Sequence, residues 1–263
     1  MYYKRKMKLE FFKYQGTGND FILVDNRKNH FDPQNTDLVN FLCNRRFGIG
    51  ADGLILLENN SSYDFSMVYF NSDGNRSSMC GNGGRCIVKF AHDLGIIEKE
   101  TTFLAVDGIH DAYVKDTKVF LKMIDVDAVE RGKGFFFLDT GSPHYVQFVN
   151  NLEGFPVYEE GYKIRNNKRF REKGTNVNFV QEIDKQTIKV STYERGVEDE
   201  TLSCGTGVTA ASIAAFLKGY PNNVKVITKG GELMVTFSEE AGQYKDVYLS
   251  GPAEMVFEGE IKI

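Results

Sequence analysis

The chain has 263 residues, a net charge of -4, 41% hydrophobic and 26% charged residues, which is the composition of an ordinary globular protein and not of a disordered one. So small a negative charge gives no broad attraction to phosphate backbones or anionic lipid, which argues against nucleic acid and membrane and leaves a small molecule as the expected partner. The length permits two domains of ordinary size.

The basic stretch Met1 to Lys8 is followed by Phe11, Phe12, Lys13 and Tyr14, not by the apolar core of a secretory signal. Met7 is a second candidate start. No run approaches the roughly 18 consecutive apolar residues of a membrane helix, so a cytoplasmic location is expected. Cys43, Cys80, Cys86 and Cys204 would be reduced there.

In chain order, the first strand-like runs are Leu9 to Tyr14 and Phe21 to Asp25, rich in aromatic or β-branched residues. A helix is predicted from Asp37 to Arg45, with Asn35 or Thr36 as N-cap and Gly48 beyond its end. Strands follow at Leu54 to Leu57 and Phe65 to Phe70. A second helix starts near Gly81, presents Ile87, Val88, Phe90, Ala91 and Leu94 at helical spacing, and stops at Gly95. Thr102 to Val106, Val119 to Met123, Phe135 to Leu138, Tyr145 to Val149, Val177 to Val180 and Thr187 to Tyr193 read as further strands. A third helix runs from about Gly205 through Ala210, Ile213 and Leu217 to Gly219, apolar on nearly every face and hence buried. The last strands are Val224 to Ile227, Leu233 to Phe237, Val247 to Leu249 and Glu254 to Phe257.

The second and third helices open alike. Met79-Cys80-Gly81-Asn82-Gly83-Gly84 and Ser203-Cys204-Gly205-Thr206-Gly207-Val208 both read Cys-Gly-x-Gly into a helix, and the cysteines lie 204 - 80 = 124 residues apart. The offset predicts two similar domains with an active site where they meet. Gly16-Thr17-Gly18-Asn19-Asp20-Phe21 and Gly174-Thr175-Asn176-Val177-Asn178-Phe179 form a weaker second pair.

A helix N-terminus presents unpaired N-H groups and partial positive charge, which bind a carboxylate and favour a thiolate. Flanking glycines let a substrate approach closely. Two such units predict stereoinversion, one sulfur removing a proton and the other delivering one. A lone cysteine before glycine is commonly a small buried hydrophobe, and packing is the expected role of Cys43 and Cys86. The spacing of Cys80 and Cys86 fits structural zinc poorly, and no metal is expected. Gly81-x-Gly83 lacks the third glycine of a nucleotide fingerprint, since that position is Cys86. His144 lies in the turn Thr140-Gly141-Ser142-Pro143-His144, where polar groups often serve function. Glu194-Arg195 could recognise an ammonium and a carboxylate, or form an ordinary surface pair. Asn19, Asn71 and Asn176 stand at strand edges, where turn formation alone could account for them.

Gly16 to Phe21, Gly48-Ile49-Gly50-Ala51-Asp52-Gly53, Phe70-Asn71-Ser72-Asp73-Gly74, Met79 to Cys86, Asn176 to Phe179, Tyr193-Glu194-Arg195-Gly196 and Ser203 to Gly207, in this order, resemble the diaminopimelate epimerase family across nearly the whole chain. The resemblance implies an α+β fold of two pseudo-symmetric domains, each a strand-rich sheet wrapped around a central helix. Residues 1-124 plus 250-263 would form the half carrying Cys80, and 125-249 the half carrying Cys204. It further implies a homodimer that interconverts LL-2,6-diaminopimelate and the meso form for lysine and peptidoglycan synthesis, without pyridoxal phosphate or metal. Cys204 matches the base for the LL substrate and Cys80 the acid on the opposite face. Gly81, Asn82, Gly205 and Thr206 match the helix starts that hold the reacting carboxylate. Asn19, Asn71, Asn176, Glu194 and Arg195 match other substrate contacts, and His144 and Glu194 match groups that tune the thiols. Gly53 and Ser142 depart from the family pattern, which has Gln and Asn there. Proline and hydroxyproline racemases use the same two-thiol logic but have His where Asn82 stands, and phenazine-type isomerases replace the cysteines. A catalytically dead binding module of the same fold is the remaining class, against which both retained thiols argue.

Overall fold

The computed structural model describes residues 8-77 and 79-263; residues 1-7, on which the reading of the N-terminus rests, lie outside the described residues, as does Ser78. In chain order the first elements are β1 (Lys8–Gly16), β2 (Asn19–Asp25), α1 (Thr36–Cys43), β3 (Gly53–Glu58), β4 (Phe65–Asn71), α2 (Gly81–Asp93), β5 (Glu100–Ala105), β6 (Gly108–Lys115) and β7 (Lys118–Lys122). They continue with β8 (Val129–Gly132), β9 (Phe135–Asp139), β10 (Pro143–Val149), α3 (Val157–Arg165), β11 (Asn176–Glu182), β12 (Thr187–Glu194), β13 (Asp199–Thr201), α4 (Gly205–Phe216), β14 (Asn223–Thr228), β15 (Gly231–Glu240), β16 (Gln243–Pro252) and β17 (Glu254–Lys262). The chain divides into two compact units, one running to Val119 and completed by Ala253–Ile263, the other Phe120–Pro252.

In the first unit the strands lie in the order β17-β1-β2-β3-β4-β5-β6, with β2/β3 and β4/β5 parallel and the other neighbours antiparallel. In the second the order is β8-β9-β10-β11-β12-β14-β15-β16, with β10/β11 and β12/β14 parallel. From β1 and from β9 the sequence of events is the same: hairpin, short helix, hairpin, central helix, hairpin. Each unit is therefore a strand-rich sheet with one central helix, α2 or α4, in a mixed α+β fold.

The topology corrects one sequence expectation. Gly16 to Asn19 forms the turn into β2, whereas Gly174 to Asn176 leads into β11, the counterpart of β3 and not of β2. The offset agrees, since 176 - 52 = 124 aligns Asn176 with Asp52.

The cores explain the local sequence. Helix α4 is rich in alanine, so strands close in on it: Val208, Ala211, Ile213 and Ala214 are buried against Val180, Val190, Val226, Val235 and Leu249. Its two interior hydroxyls are satisfied within the helix, Thr209 donating to the Gly205 carbonyl at 3.0 Å and Ser212 to that of Val208 at 2.9 Å. In the first unit one sheet face, with Ile22, Leu54, Leu56 and Phe70, packs on α1 through Val39 and Leu42. The opposite face carries α2, whose Gly83 lies against Ile55 and Met67.

The predicted strands and three helices are present within a few residues of their expected ends. Asn35 is the N-cap of α1, its Oδ1 accepting from the Leu38 amide at 3.1 Å. Helix α3 was not expected, because Gly161 interrupts a short, highly charged segment; that glycine is needed where a Cβ would stand 2.4 Å from Tyr193. Strand β6 was also missed, since Gly108, His110 and Asp111 mask its alternation, as were the short strands β8 and β13.

Candidate active site

Cys80 and Cys204 occupy the same position in their units. Each is the N-cap of a central helix, in extended conformation (φ -101°, ψ 150° and φ -120°, ψ 110°), with its carbonyl accepting the first helical hydrogen bond at 2.8 Å from Gly84 or Val208. In α2 the Gly83 N-H also donates to Cys80 Sγ at 3.2 Å. Cys204 Sγ lies 3.5 Å from Thr206 Oγ1. Gly81 and Asn82, and likewise Gly205 and Thr206, are the first residues of their helices, the end at which the helix dipole favours an anion. Glycine at position 207 is required on different grounds, because a Cβ there would lie 2.4 Å from Asn178 Oδ1.

In the first unit Asn82 and Asn19 belong to one directed hydrogen-bond chain. The Arg85 guanidinium, fully buried, donates to Asn82 Oδ1 at 2.9 Å, to Thr17 Oγ1 at 3.0 Å and to the Gly81 carbonyl at 3.2 Å. A guanidinium has no acceptor, so Asn82 must turn its oxygen towards Arg85 and its Nδ2 towards Asn19 Oδ1, 2.6 Å away. Asn19 then donates through its own Nδ2 to Asp52 Oδ2 at 2.8 Å. Arg45 bridges Asp52 and Asp20, and Asp20 also pairs with buried Lys13 at 2.8 Å. Burial works to raise the Asp20 carboxyl, but hydrogen bonds from Arg45 and Lys13 outweigh it and hold it at about 2. Burial lowers the Arg85 guanidinium to about 10, which leaves it cationic at neutral pH. Asn71 ends β4 opposite Gly53, with its side chain exposed.

The second unit builds a comparable chain around Asn176 and His144. The Arg195 N-H donates to Asn176 Oδ1 at 2.8 Å, which directs Asn176 Nδ2 to Ser142 Oγ at 2.6 Å. Asn178 accepts from Thr192 Oγ1 at 2.9 Å, so its Nδ2 faces His144 Nδ1 at 3.0 Å and the Tyr145 carbonyl at 3.0 Å. His144 Nδ1 is thus an acceptor, which assigns the proton of the neutral ring to Nε2, 3.4 Å from Asn176 Nδ2. Complete burial lowers this histidine to about 3, only partly offset by the Asn178 hydrogen bond. The ring is therefore neutral at neutral pH. Burial raises Glu194, against a hydrogen bond from Thr201 Oγ1 at 3.0 Å, so this carboxyl holds its proton more readily than usual. Arg195 is exposed, and its guanidinium donates to the Lys173 carbonyl at 3.2 Å.

The His144 arrangement fixes a pH dependence. Its pKa is about 3 when folded and close to 6.5 when unfolded, so between these values the unfolded chain binds a proton that the native ring refuses. The associated stability is complete above pH 6.5 and is lost as the pH falls towards 3. Unfolding free energies from urea titrations between pH 4 and 6 are expected to fall more steeply for the wild type than for His144→Gln, by up to about 1.4 kcal/mol per pH unit. Parallel slopes would refute a buried neutral ring.

Cys43 and Cys86 are buried, and burial pushes Cys43 up to about 12 and Cys86 further, which keeps both as inert thiols. Arg85, Asp52, Thr17 and Asn178 were not singled out from the sequence. Arg85 and Asp52 fall inside quoted motifs, but nothing in their spacing shows that they flank Asn82 and Asn19.

Two units of this topology, each with a cysteine as N-cap of its central helix, place the chain in a fold shared with solved racemase-like structures. A phenazine biosynthesis protein of the PhzF family from Bacillus anthracis superposes with a TM-score of 0.75 at 14% identity, covering 98% of this chain and 100% of that one. A hydroxyproline epimerase from Agrobacterium vitis, solved with trans-4-hydroxy-L-proline, gives 0.68 at 16% identity over 100% and 94%. Sequence narrows the class: the diaminopimelate epimerase profile matches residues 11–125 and 136–256, and the chain belongs to that family. It is 53% identical to the diaminopimelate epimerase of Flavobacterium psychrophilum, over 96% of this chain and 100% of the relative. The Aquifex aeolicus diaminopimelate epimerase is 42% identical over 96% and 98%.

Proposed function

We propose that the protein is an isomerase that interconverts LL-2,6-diaminopimelate and meso-diaminopimelate, inverting one α-carbon by two-cysteine acid/base catalysis, in the supply of lysine and peptidoglycan precursors. The observation that carries this reading is the pair of cysteines that cap the central helices, each followed by glycine, in a chain of this family. Cys204 takes the α-proton of the LL substrate, the electron pair stays on carbon, and Cys80 delivers its proton to the opposite face. In the reverse direction the roles exchange.

The α-hydrogen of an amino acid is only weakly acidic, and electrostatics must lower the barrier. The first N-H groups of α2 and α4, at Gly81, Asn82, Gly205 and Thr206, hold the carboxylate at the reacting carbon and stabilise the charge that moves onto it. They are fixed before the substrate arrives, so little reorganisation is required during reaction. Asn19, Asn71, Asn176, Glu194 and Arg195 hold the remaining polar groups of the substrate. Glu194, whose carboxyl burial raises, and His144, a buried neutral ring, tune the thiols.

Among the described residues no helix is long and apolar enough to cross a membrane. A cytoplasmic location is part of this reading, supported by four cysteines that form no disulfide. It acts as a homodimer; exposed Met255, Val256 and Phe257 on β17 are apolar surface of the kind that subunit contacts bury.

The test is incubation with LL-diaminopimelate, and separately with L-proline, in deuterated water. Deuterium is expected at the α-carbon of diaminopimelate together with formation of the meso isomer. Label in proline alone would overturn the assignment.

A further inference from the structure

We infer that Asp107, in the turn between β5 and β6, is a positioning residue for Cys80: its carboxylate holds the backbone amide that precedes the cysteine and so sets where the sulfur stands. This rests on the role proposed above for Cys80.

The Met79 N-H donates to Asp107 Oδ1 at 3.3 Å. Two residues earlier the Ser77 N-H donates to the Tyr69 carbonyl at 3.0 Å, so the segment entering α2 is tied first to β4 and then to the β5–β6 turn. A peptide group is planar, so holding the Met79 N-H also holds the Cα from which the chain goes on to Cys80. Cys80 then stands extended at the helix mouth, its Sγ accepting from the Gly83 N-H at 3.2 Å. Asp107 is itself held. His110 Nε2 lies 3.5 Å from the same Oδ1, and the His110 ring is stacked on Phe103 with centroids 5.4 Å apart, as Phe103 is on Phe65 at 5.0 Å. Strand register builds this stack, since Phe65, Phe103 and His110 are successive partners across β4, β5 and β6. Burial works to raise the Asp107 carboxyl, but His110 and the amides of Met79 and of Asp107 itself outweigh it and hold it below the usual carboxylate range. The acceptor facing Met79 is therefore charged at neutral pH, and charge-assisted hydrogen bonds are the stronger kind.

The second unit docks the same turn on the same loop. β5 and β14 each follow the central helix of their unit, and each ends in a two-residue turn: Val106-Asp107 between the paired residues Ala105 and Gly108, and Lys229-Gly230 between Thr228 and Gly231. Gly108 and Gly231 close these turns with φ of 130° and 140°. The turns lie 230 - 107 = 123 residues apart, against 124 for the cysteines. At the position of Asp107 the second unit thus has Gly230, whose N-H donates at 2.9 Å to the carbonyl of Leu202, two residues before Cys204. Lys229 pairs with Glu200, just ahead of it on β13, at 2.6 Å. Each unit therefore anchors the approach to its cysteine on the turn that follows its central helix. That recurrence separates Asp107 from an ordinary exposed turn aspartate. In the second unit the anchor is backbone, whereas in the first it is a side chain that a substitution can remove.

Asp107→Ala removes the acceptor from an exposed turn, so folding should not intervene, and Asp107→Asn keeps an acceptor without the charge. With LL-diaminopimelate, Asp107→Ala is expected to lower kcat about tenfold with KM within about twofold, because the sulfur shifts while the helix start that holds the carboxylate does not. Asp107→Asn should return kcat to within about threefold of wild type. A second readout needs no substrate: alkylation by iodoacetamide between pH 6 and 9, followed by mass spectrometry on the separate Cys80 and Cys204 peptides. In Asp107→Ala the pH of half-maximal Cys80 alkylation should rise, as the sulfur loses the Gly83 N-H that favours its thiolate, while the Cys204 profile stays where it is in wild type. An unchanged kcat, an unchanged Cys80 profile or an equal shift at both cysteines would overturn the assignment of Asp107 while leaving the epimerase reading intact. A wild-type protein inert towards diaminopimelate would instead bring down that reading, and the alkylation profiles alone would then decide whether Asp107 places the sulfur.

Discussion

Replacing Cys204 by alanine is expected to lower epimerisation of LL-diaminopimelate by a factor on the order of a thousand or more, and Cys80→Ala by a similar factor. Inversion needs a base on one face of the carbon and an acid on the other, so neither thiol can compensate for loss of its partner. Alanine leaves the backbone of each N-cap in place, and its small side chain is compatible with the extended conformation seen at both positions. The helix starts at Gly81 and Gly205 therefore keep their geometry, and calorimetry should find substrate affinity within a few-fold of wild type while kcat collapses. That split separates removal of an acid or base from disruption of the site. Serine should restore little, because its hydroxyl surrenders a proton far less readily than a thiol. A wild-type rate from either alanine variant, followed as α-deuterium incorporation, would remove that cysteine from the mechanism.

The feature that carries the function was legible because it is local. Cys-Gly-x-Gly before an apolar helix states its geometry within six residues, and its recurrence after 124 residues exposed the duplication. The all-round apolarity of α4 likewise announced a central, buried helix. What escaped depends on contacts distant in sequence. Asp52 orients Asn19 from 33 residues away, and Arg85 reaches Thr17 from 68. A lone arginine in a glycine-rich motif looks solvent-facing until the fold closes over it. The second repeat was misaligned for a related reason: Gly-Thr before asparagine is a turn signal that serves more than one hairpin, and only strand pairing distinguishes the entry to β2 from the entry to β11. Gly53 showed in the sequence as a missing side chain, but the neighbour that fills its space, the ring of Tyr69 on β4, is set by cross-strand register.

Arg85→Met is expected to show how much of the site depends on that buried cation. Methionine fills a comparable volume without donors, so Asn82 Oδ1, Thr17 Oγ1 and the Gly81 carbonyl each lose a hydrogen bond in a buried setting. Relief of the cation's own burial offsets part of this, and a net loss of about 1–3 kcal/mol in stability is expected by urea unfolding. Function should suffer separately. Without the guanidinium on Oδ1, the Asn82 amide is held through Asn19 and Thr17 and no longer from the α2 side, and the first turn of α2 loses an anchor. A misplacement of that kind is worth up to about a hundredfold in kcat/KM. Lysine at position 85 keeps the charge but not the planar fork, and should recover only part of the loss. Arg85→Met and Asn19→Ala break the same chain at its two ends, so their effects on kcat/KM should fall well short of multiplying, even if their effects on stability add. Full multiplication would mean that Arg85 supports the fold alone and does not act on the substrate contacts through Asn82.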